Sequence, residues 1–313
     1  MKRGNPAVDS AFVPRHGVSR LGQPLSYSRA PSPDLAPWIA RLYATDVEIP
    51  DDHTIDCGLF NDTTVVRIQT RGDWTAQTID GPMHEGRSAL IFGPQSKLMP
   101  ITVRGSFTSI GISLRPGAGH AVMNLDTVEF IDRIRPCDVY GSPGQVALDQ
   151  LDACSEPEQW LQVLEQFIRQ VLVQTGAAEP DPITAFFEAV SMTNPTLPVA
   201  EIARIGGVAL RRLERIVRRD YGMSPKKVLR RARALDMASH LRGVADEAEA
   251  DELELRYYDQ SHLIREFTEL FGMSPGQFVA NPQPILTLAL ESRQARRLEA
   301  TERLAPGARR PWQ

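Results

Sequence analysis

Between Arg204 and Arg233 lie eleven Lys and Arg residues against two acids, Glu214 and Asp220, in a chain whose net charge is −4. The rest of the sequence is therefore distinctly acidic, and this stretch is a local basic block. Within 209–219 the apolar positions are Leu210, Leu213, Ile216 and Val217. Arg211, Arg212, Arg215, Arg218 and Arg219 fall on the other side of a 3.6-residue period. Guanidinium groups so placed can donate paired hydrogen bonds to a guanine edge and neutralise phosphates. A merely solvated helix face would show the same charges.

Repetition separates the two readings. Leu213, Arg215 and Gly222-Met223-Ser224-Pro225 return fifty residues later as Leu263, Arg265 and Gly272-Met273-Ser274-Pro275. One structural unit is used twice. Each copy predicts a helix of about three turns, Ala209–Tyr221 and Gln260–Phe271, closed by glycine and followed by Ser as N-cap and Pro at the first position of the next helix. Ahead of the first copy, 198–207 reads as a short helix ended by two glycines, so helix, tight turn and second helix follow in order. Lys226, Lys227 and Arg230, just after, suit phosphate contacts.

Other chemistries find little support. His53, Asp56, His84, Glu85 and His120 are the candidate metal ligands of a cupin-like enzyme, the competing reading. None stands at HxH or HxxxH spacing, and adjacent His84 and Glu85 would point to opposite faces of a strand. The segment 93–98 is too short for a phosphate loop. No catalytic residue, metal or cofactor is expected. Cys57, Cys137 and Cys154 have no CxxC spacing and fit packed thiols in a reducing cytoplasm. No apolar run long enough to span a membrane is present, and the first twenty residues lack the apolar core of a signal peptide.

Residues 1–35, rich in Pro, Ser, Gly and Arg, read as a mobile arm. Residues 36–176 read as a β-rich sensory or dimerisation domain with a helical end. Short runs at 63–70, 88–94, 99–105 and 107–116 suggest an antiparallel barrel or sandwich. Gln145–Asp152 and Pro157–Thr175 read as helices, the second with a stripe through Trp160, Leu164, Phe167 and Ile168 that serves as core or dimer interface. A linker at 176–182 leads to a helical domain, 180–282, expected to fold alone, with one long helix between the copies. The tail, 283–313, reads as helical and then disordered. The fold class is α+β multidomain: a β-rich domain, then an all-α domain of two helix-turn-helix units joined by a long helix.

The segments 198–225, RARALDMA (231–238) and 257–278 resemble the AraC/XylS family of transcription regulators, most specifically in DQSHLIREF followed by GMSP. The likeness covers about 183–280, and the region before it is similar to a poorly characterised sensory domain found in one bacterial subgroup. The resemblance implies base reading by Arg211, Glu214 and Arg215 in the first unit. In the second it implies the same for Gln260, Ser261, His262, Ile264 and Arg265. Three positions depart from the pattern. Ala209 replaces a usual Ser or Thr N-cap, a loss of ~1 kcal/mol. Arg256 stands at a usual turn glycine and Glu252 at a usual small residue, beside the acidic run 246–254.

The expected function is sequence-specific reading of duplex DNA in two adjacent major grooves. A small-molecule effector and RNA polymerase are candidate partners, a homodimer is the expected assembly, and the cytoplasm is the expected location. An effector-independent dimeric DNA-binding protein is the remaining alternative.

Overall fold

The computed structural model describes residues 5–140, 144–246, 260–305 and 307–313. Among them nine strands form one antiparallel sheet in the order β1-β3-β8-β5-β7-β9, with β2 on β3, β4 on β8 and β6 on β5. The strands are β1 (Val13–Pro14), β2 (Tyr27–Arg29), β3 (Ile39–Glu48), β4 (Thr54–Leu59), β5 (Val65–Thr78), β6 (Gly81–Glu85), β7 (Ser88–Phe92), β8 (Met99–Leu114) and β9 (Ile134–Pro136). The runs 99–105 and 107–116 are thus one long strand. Its second half pairs with β3 and its first half with β4, while β5 follows it along the other side. Register shifts at Gln69/Arg71 and Arg71/Asp73 bend β5 with it, so the sheet curls into a trough.

The two faces of the trough are buried differently. Leu42, Ala44, Ile68, Ile110 and Ile112, alternate residues of β3, β5 and β8, pack on two helices, α2 (Gly144–Asp152) and α3 (Pro157–Thr175), which follow a short α1 (Ala118–Met123). The stripe of Trp160, Leu161, Leu164 and Ile168 is spent here, inside the chain. The intervening residues of the same strands face the concave side.

Among the described residues six further helices precede the tail: α4 (Pro182–Thr193), α5 (Val199–Ile205), α6 (Leu210–Tyr221), α7 (Pro225–Arg242), α8 (Gln260–Phe271) and α9 (Pro275–Ala280). The next, α10 (Pro284–Ala300), lies in the segment expected to be helical and then disordered. Its Ile285 and Leu288 enter the apolar cluster of the concave sheet face. Its Leu286, Leu290, Ala295 and Leu298 join Leu235, Leu241, Phe267 and Phe278 of the helical region. Beyond it Trp312 is buried, and its indole N–H donates to Glu291 at 3.0 Å. The tail is thus packed between two domains because α10 is apolar on both flanks, which no single-faced period reveals.

Residues 5–35, expected as a mobile arm, also pack. β1 and β2 pair with β3, Ala7 N–H donates to the Val279 carbonyl at 2.8 Å, and Arg20 N–H donates to the Trp312 carbonyl at 3.0 Å. Local composition signalled a loop, and long-range pairing overrode it.

Candidate nucleic-acid interface

The first unit is built as its sequence directs. α5 ends at Gly206, Gly207 makes the turn at φ +60°, and α6 starts at Leu210. Ile202 and Ala203 of α5 pack with Leu213, Val217 and Tyr221 of α6 and with Phe187 of α4. Ala209 occupies the N-cap with extended backbone and gives no side-chain bond. Gly222 closes α6 at φ +71°, and a Cβ there would lie 2.5 Å from the Thr127 carbonyl of the β-rich domain. The glycine therefore serves both the left-handed cap and a close domain contact.

The caps that follow are unequal. Ser274 accepts from Gln277 N–H at 3.3 Å and Gln277 Oε1 accepts from Ser274 N–H at 2.9 Å, a capping box at the start of α9. Ser224 makes no side-chain cap bond, contrary to expectation, and Lys227 at N3 has no acceptor to complete the reciprocal half of a capping box.

Exposure along 211–221 repeats residue for residue along 261–271. Arg211, Arg212, Glu214, Arg215 and Arg218 are exposed in the first, and Ser261, His262, Ile264 and Arg265 in the second. Leu213 and Val217 correspond to buried Leu263 and Phe267. Gln260 opens α8, and its side chain lies outside the described residues, as do Glu252, Arg256 and 247–254 of the acidic run. Lys226 and Lys227 are exposed in the first turn of α7, where a helix N-terminus also favours phosphate.

Charge divides the two faces. Among the described residues Arg211, Arg212, Arg215 and Arg218 have no carboxylate partner, whereas Arg219 is tied to buried Asp220. In α8 a glutamate replaces an apolar residue: Glu266 sits where Ile216 sits in α6. It takes Arg233 at 3.0 Å and Arg230 at 3.3 Å, and it lies 3.6 Å from His262. Glu269 also binds Arg230, its own carboxyl held below the usual range by that guanidinium. Arg230 is therefore engaged by acids and not presented for phosphate.

The β-rich domain grips the C-terminal ends of both helices. Thr127 and Ile131 abut Gly222, while Leu98 N–H donates to the Leu270 carbonyl at 2.8 Å and Phe60 packs edge-on against Phe271, centroids 5.2 Å apart. α7 is clasped from the same side. Arg231 donates to the carbonyls of Gln95 and Asp62, and burial lowers its guanidinium to about 10.

The candidate metal ligands do not converge. His53 meets Asp9 at 2.9 Å, Asp56 accepts from Thr102 at 2.7 Å, His84 and Glu85 lie on β6, and His120 lies on α1. Among the described residues no three His, Cys, Asp or Glu gather as a metal site. Nor is any described helix long and apolar enough to cross a membrane. Cys57, Cys137 and Cys154 are free thiols, and burial pushes Cys57 and Cys137 up to about 12.

One pocket stands out instead. A cavity of about 90 Å³ lies on the concave sheet face under α10, lined among others by Arg67, Gln69, Trp74 and Ser109. Sequence reasoning did not single out these residues. The available signal was the polar half of the alternation, Arg41-Leu42-Tyr43-Ala44-Thr45 and Val66-Arg67-Ile68-Gln69, whose polar members are in fact buried or half-buried.

Comparison with known proteins agrees with the two-part layout. Residues 192–281 match a helix-turn-helix domain, and residues 27–136 match a domain of unknown function (DUF6597). No curated protein matches the chain. Among solved structures, ToxT from Vibrio cholerae is 8% identical with a TM-score of 0.45, covering 76% of this chain and 96% of that one. Unsaturated fatty acid-bound ToxT from the same organism is 11% identical with a TM-score of 0.42, covering 76% and 94%. The AraC-like transcriptional activator CuxR is 12% identical with a TM-score of 0.30, covering 74% and 91%. Scores this low decide nothing by themselves. The matched domains and the duplicated GMSP-closed helices with their outward arginines show that this chain carries an AraC-type helix-turn-helix domain, residues 192–281, behind a DUF6597 domain, residues 27–136.

Proposed function

We propose that the chain reads a specific duplex sequence by setting α6 and α8 into successive major grooves, under control of a small molecule held by the β-rich domain. The observation that carries this reading is the identical exposure pattern of 211–221 and 261–271, which presents the same face of both helices outward. α7, with 18 residues, spans about 27 Å at 1.5 Å per residue, of the order of the ~34 Å between such grooves. Arg211, Arg212, Glu214, Arg215 and Arg218 face the first groove. Gln260, Ser261, His262, Ile264 and Arg265 face the second, and Lys226 and Lys227 contact phosphates.

Contact with RNA polymerase, residence in the cytoplasm and pairing of two copies belong to the same reading. The α3 stripe is consumed within the chain, so a homodimer uses another surface, and sedimentation of the full chain measures it. The decisive experiment is selection of genomic fragments by the full-length protein, followed by competition with bulk DNA. Enrichment of one sequence bearing two half-sites about one helical turn apart supports the reading. Equal affinity for selected and bulk DNA would falsify it.

A further inference from the structure

A sheet face that is only core is apolar, as the α2–α3 side of this sheet is. The concave side is not. Arg41, Thr45, Gln69 and Ser109 line it and are each at most 6% exposed. Arg41 is satisfied by Glu299 and Ser28, Thr45 by Ser26, and Gln69 donates to the Gly72 carbonyl. Four side-chain atoms of residues that line the same space have no protein partner: Trp74 Nε1, Asn61 Nδ2, Ser109 Oγ and Arg296 Nε. All four residues are more than nine-tenths buried. Buried polar atoms left unmet cost stability, so a cluster of them around one cavity calls for an occupant.

The chemistry of that occupant follows from what is unmet. An indole N–H, an amide NH₂ and a guanidinium N–H only donate, and a hydroxyl can donate. Beside them Arg67 stacks on Phe92, its Cζ 4.7 Å from the ring centroid, and its Nε donates to Tyr43 Oη at 3.1 Å. Among the described residues Arg67 has no carboxylate partner. The missing partner therefore accepts hydrogen bonds and carries negative charge. The rest of the lining is apolar: Ile101, Val103 and Phe107 from the sheet, Ile285 and Leu288 from α10. A single unpaired cation and an apolar wall suit an organic monoanion better than phosphate. A volume of 90 Å³, against about 150 Å³ for a cavity that admits the six heavy atoms of benzene, limits it to roughly four heavy atoms, the size of acetate or propionate.

We propose that the concave sheet face under α10 binds one small aliphatic carboxylate, with Arg67 taking its anionic head and α10 covering its apolar end. This deepens the effector reading, on which its regulatory meaning rests. The ligand would touch the helix that also packs on α7, and so would bear on how α6 and α8 are held.

Isothermal titration of the full-length protein with acetate and propionate, each beside its uncharged amide, and with inorganic phosphate, tests the site without DNA. One carboxylate should bind at one per chain, its amide at least tenfold more weakly. Arg67→Gln should weaken binding tenfold or more without lowering the unliganded melting midpoint. Trp74→Phe, which removes one donor and keeps a ring, should weaken it several-fold and serves where Arg67→Gln fails to fold. Absence of carboxylate binding, equal binding of acid and amide, or tighter binding of phosphate overturns the proposal. Any of these leaves the genomic selection, and hence the DNA-reading proposal, to stand or fall separately.

Discussion

Asp62, in the turn between β4 and β5, accepts from Arg293 of α10 at 3.1 Å, and the other side of that guanidinium reaches buried Asp236 of α7 at 2.5 Å. One side chain thus links the β-rich domain, the tail helix and the helix between the repeats. Burial alone would raise the Asp62 carboxyl, but Arg296, Arg293 and Arg231 around it hold it below its usual range. A carboxyl depressed in the folded state adds stability above its unfolded value, and that stability is lost as pH falls through the folded value. Urea midpoints measured from neutral pH downward should therefore drop more steeply for the wild type than for Asp62→Asn below about pH 4. Parallel acid limbs for the two proteins would show that Asp62 makes no such contribution.

The position of α10 changes what a fragment can do. A chain stopped at 282 loses Leu286, Leu290, Ala295 and Leu298 from the helical core and leaves Asp236 buried without its cation. An uncompensated buried charge alone costs about 3–5 kcal/mol. The fragment 180–282 should therefore lack a cooperative thermal transition, whereas the full chain should show one. A sharp transition in the fragment would mean that α10 is dispensable to the helical core.

Ala209 offers a gain in the opposite direction. Its backbone already adopts the N-cap conformation, and only the side-chain acceptor is missing. Ala209→Ser should raise stability by about 0.5–2 kcal/mol in chemical denaturation and leave the selected DNA sequence unchanged.

How much of this was legible in advance depends on the range of the forces involved. The repeat placed α6 and α8 because caps, glycines and a 3.6-residue period are local signals. α3 also begins and ends at its expected residues, Pro157 and Thr175, for the same reason. The arm and tail were misjudged because their order comes from partners far away in sequence: Arg242 with Ala7, Arg310 with Ser28, Arg20 with Trp312. The engagement of Arg230 by Glu269 was hidden likewise, since nothing local reports a pairing across 39 residues. The cavity was half legible: the strands alternate visibly, but only the roof formed by α10 shows that the polar side is also buried.

Arg215 and Lys226 should differ in kind. Arg215 is exposed in the middle of the α6 reading face and Lys226 at the start of α7. Arg215→Ala should lower affinity for the selected sequence by about 1–3 kcal/mol and leave bulk-DNA binding nearly unchanged. Lys226→Ala should weaken all sequences alike and reduce the slope of log affinity against log salt by about one unit. Titrations at several salt concentrations separate the two. Equal losses on specific and bulk DNA for Arg215→Ala would assign that residue to phosphate.

The two units should contribute unequally, the first more. α6 presents Arg211, Arg212, Arg215 and Arg218 without carboxylate partners among the described residues, so their charge is available to DNA. α8 presents Ser261, His262, Ile264 and Arg265, and its Glu266 and Glu269 hold Arg230 and Arg233 of α7. The second unit thus brings fewer cations and ties up Arg230, which the sequence offers for the backbone. In a footprint, Arg211→Ala should remove protection across the whole site, and Arg265→Ala should leave the first half-site protected. Glu269→Gln releases Arg230 from its exposed partner. It should strengthen binding to all sequences and steepen the salt dependence by about one unit, as one added phosphate contact does. If Arg265→Ala proves the more damaging change, or Glu269→Gln leaves the salt slope unaltered, the glutamates of α8 do not set the imbalance and the second unit anchors the complex.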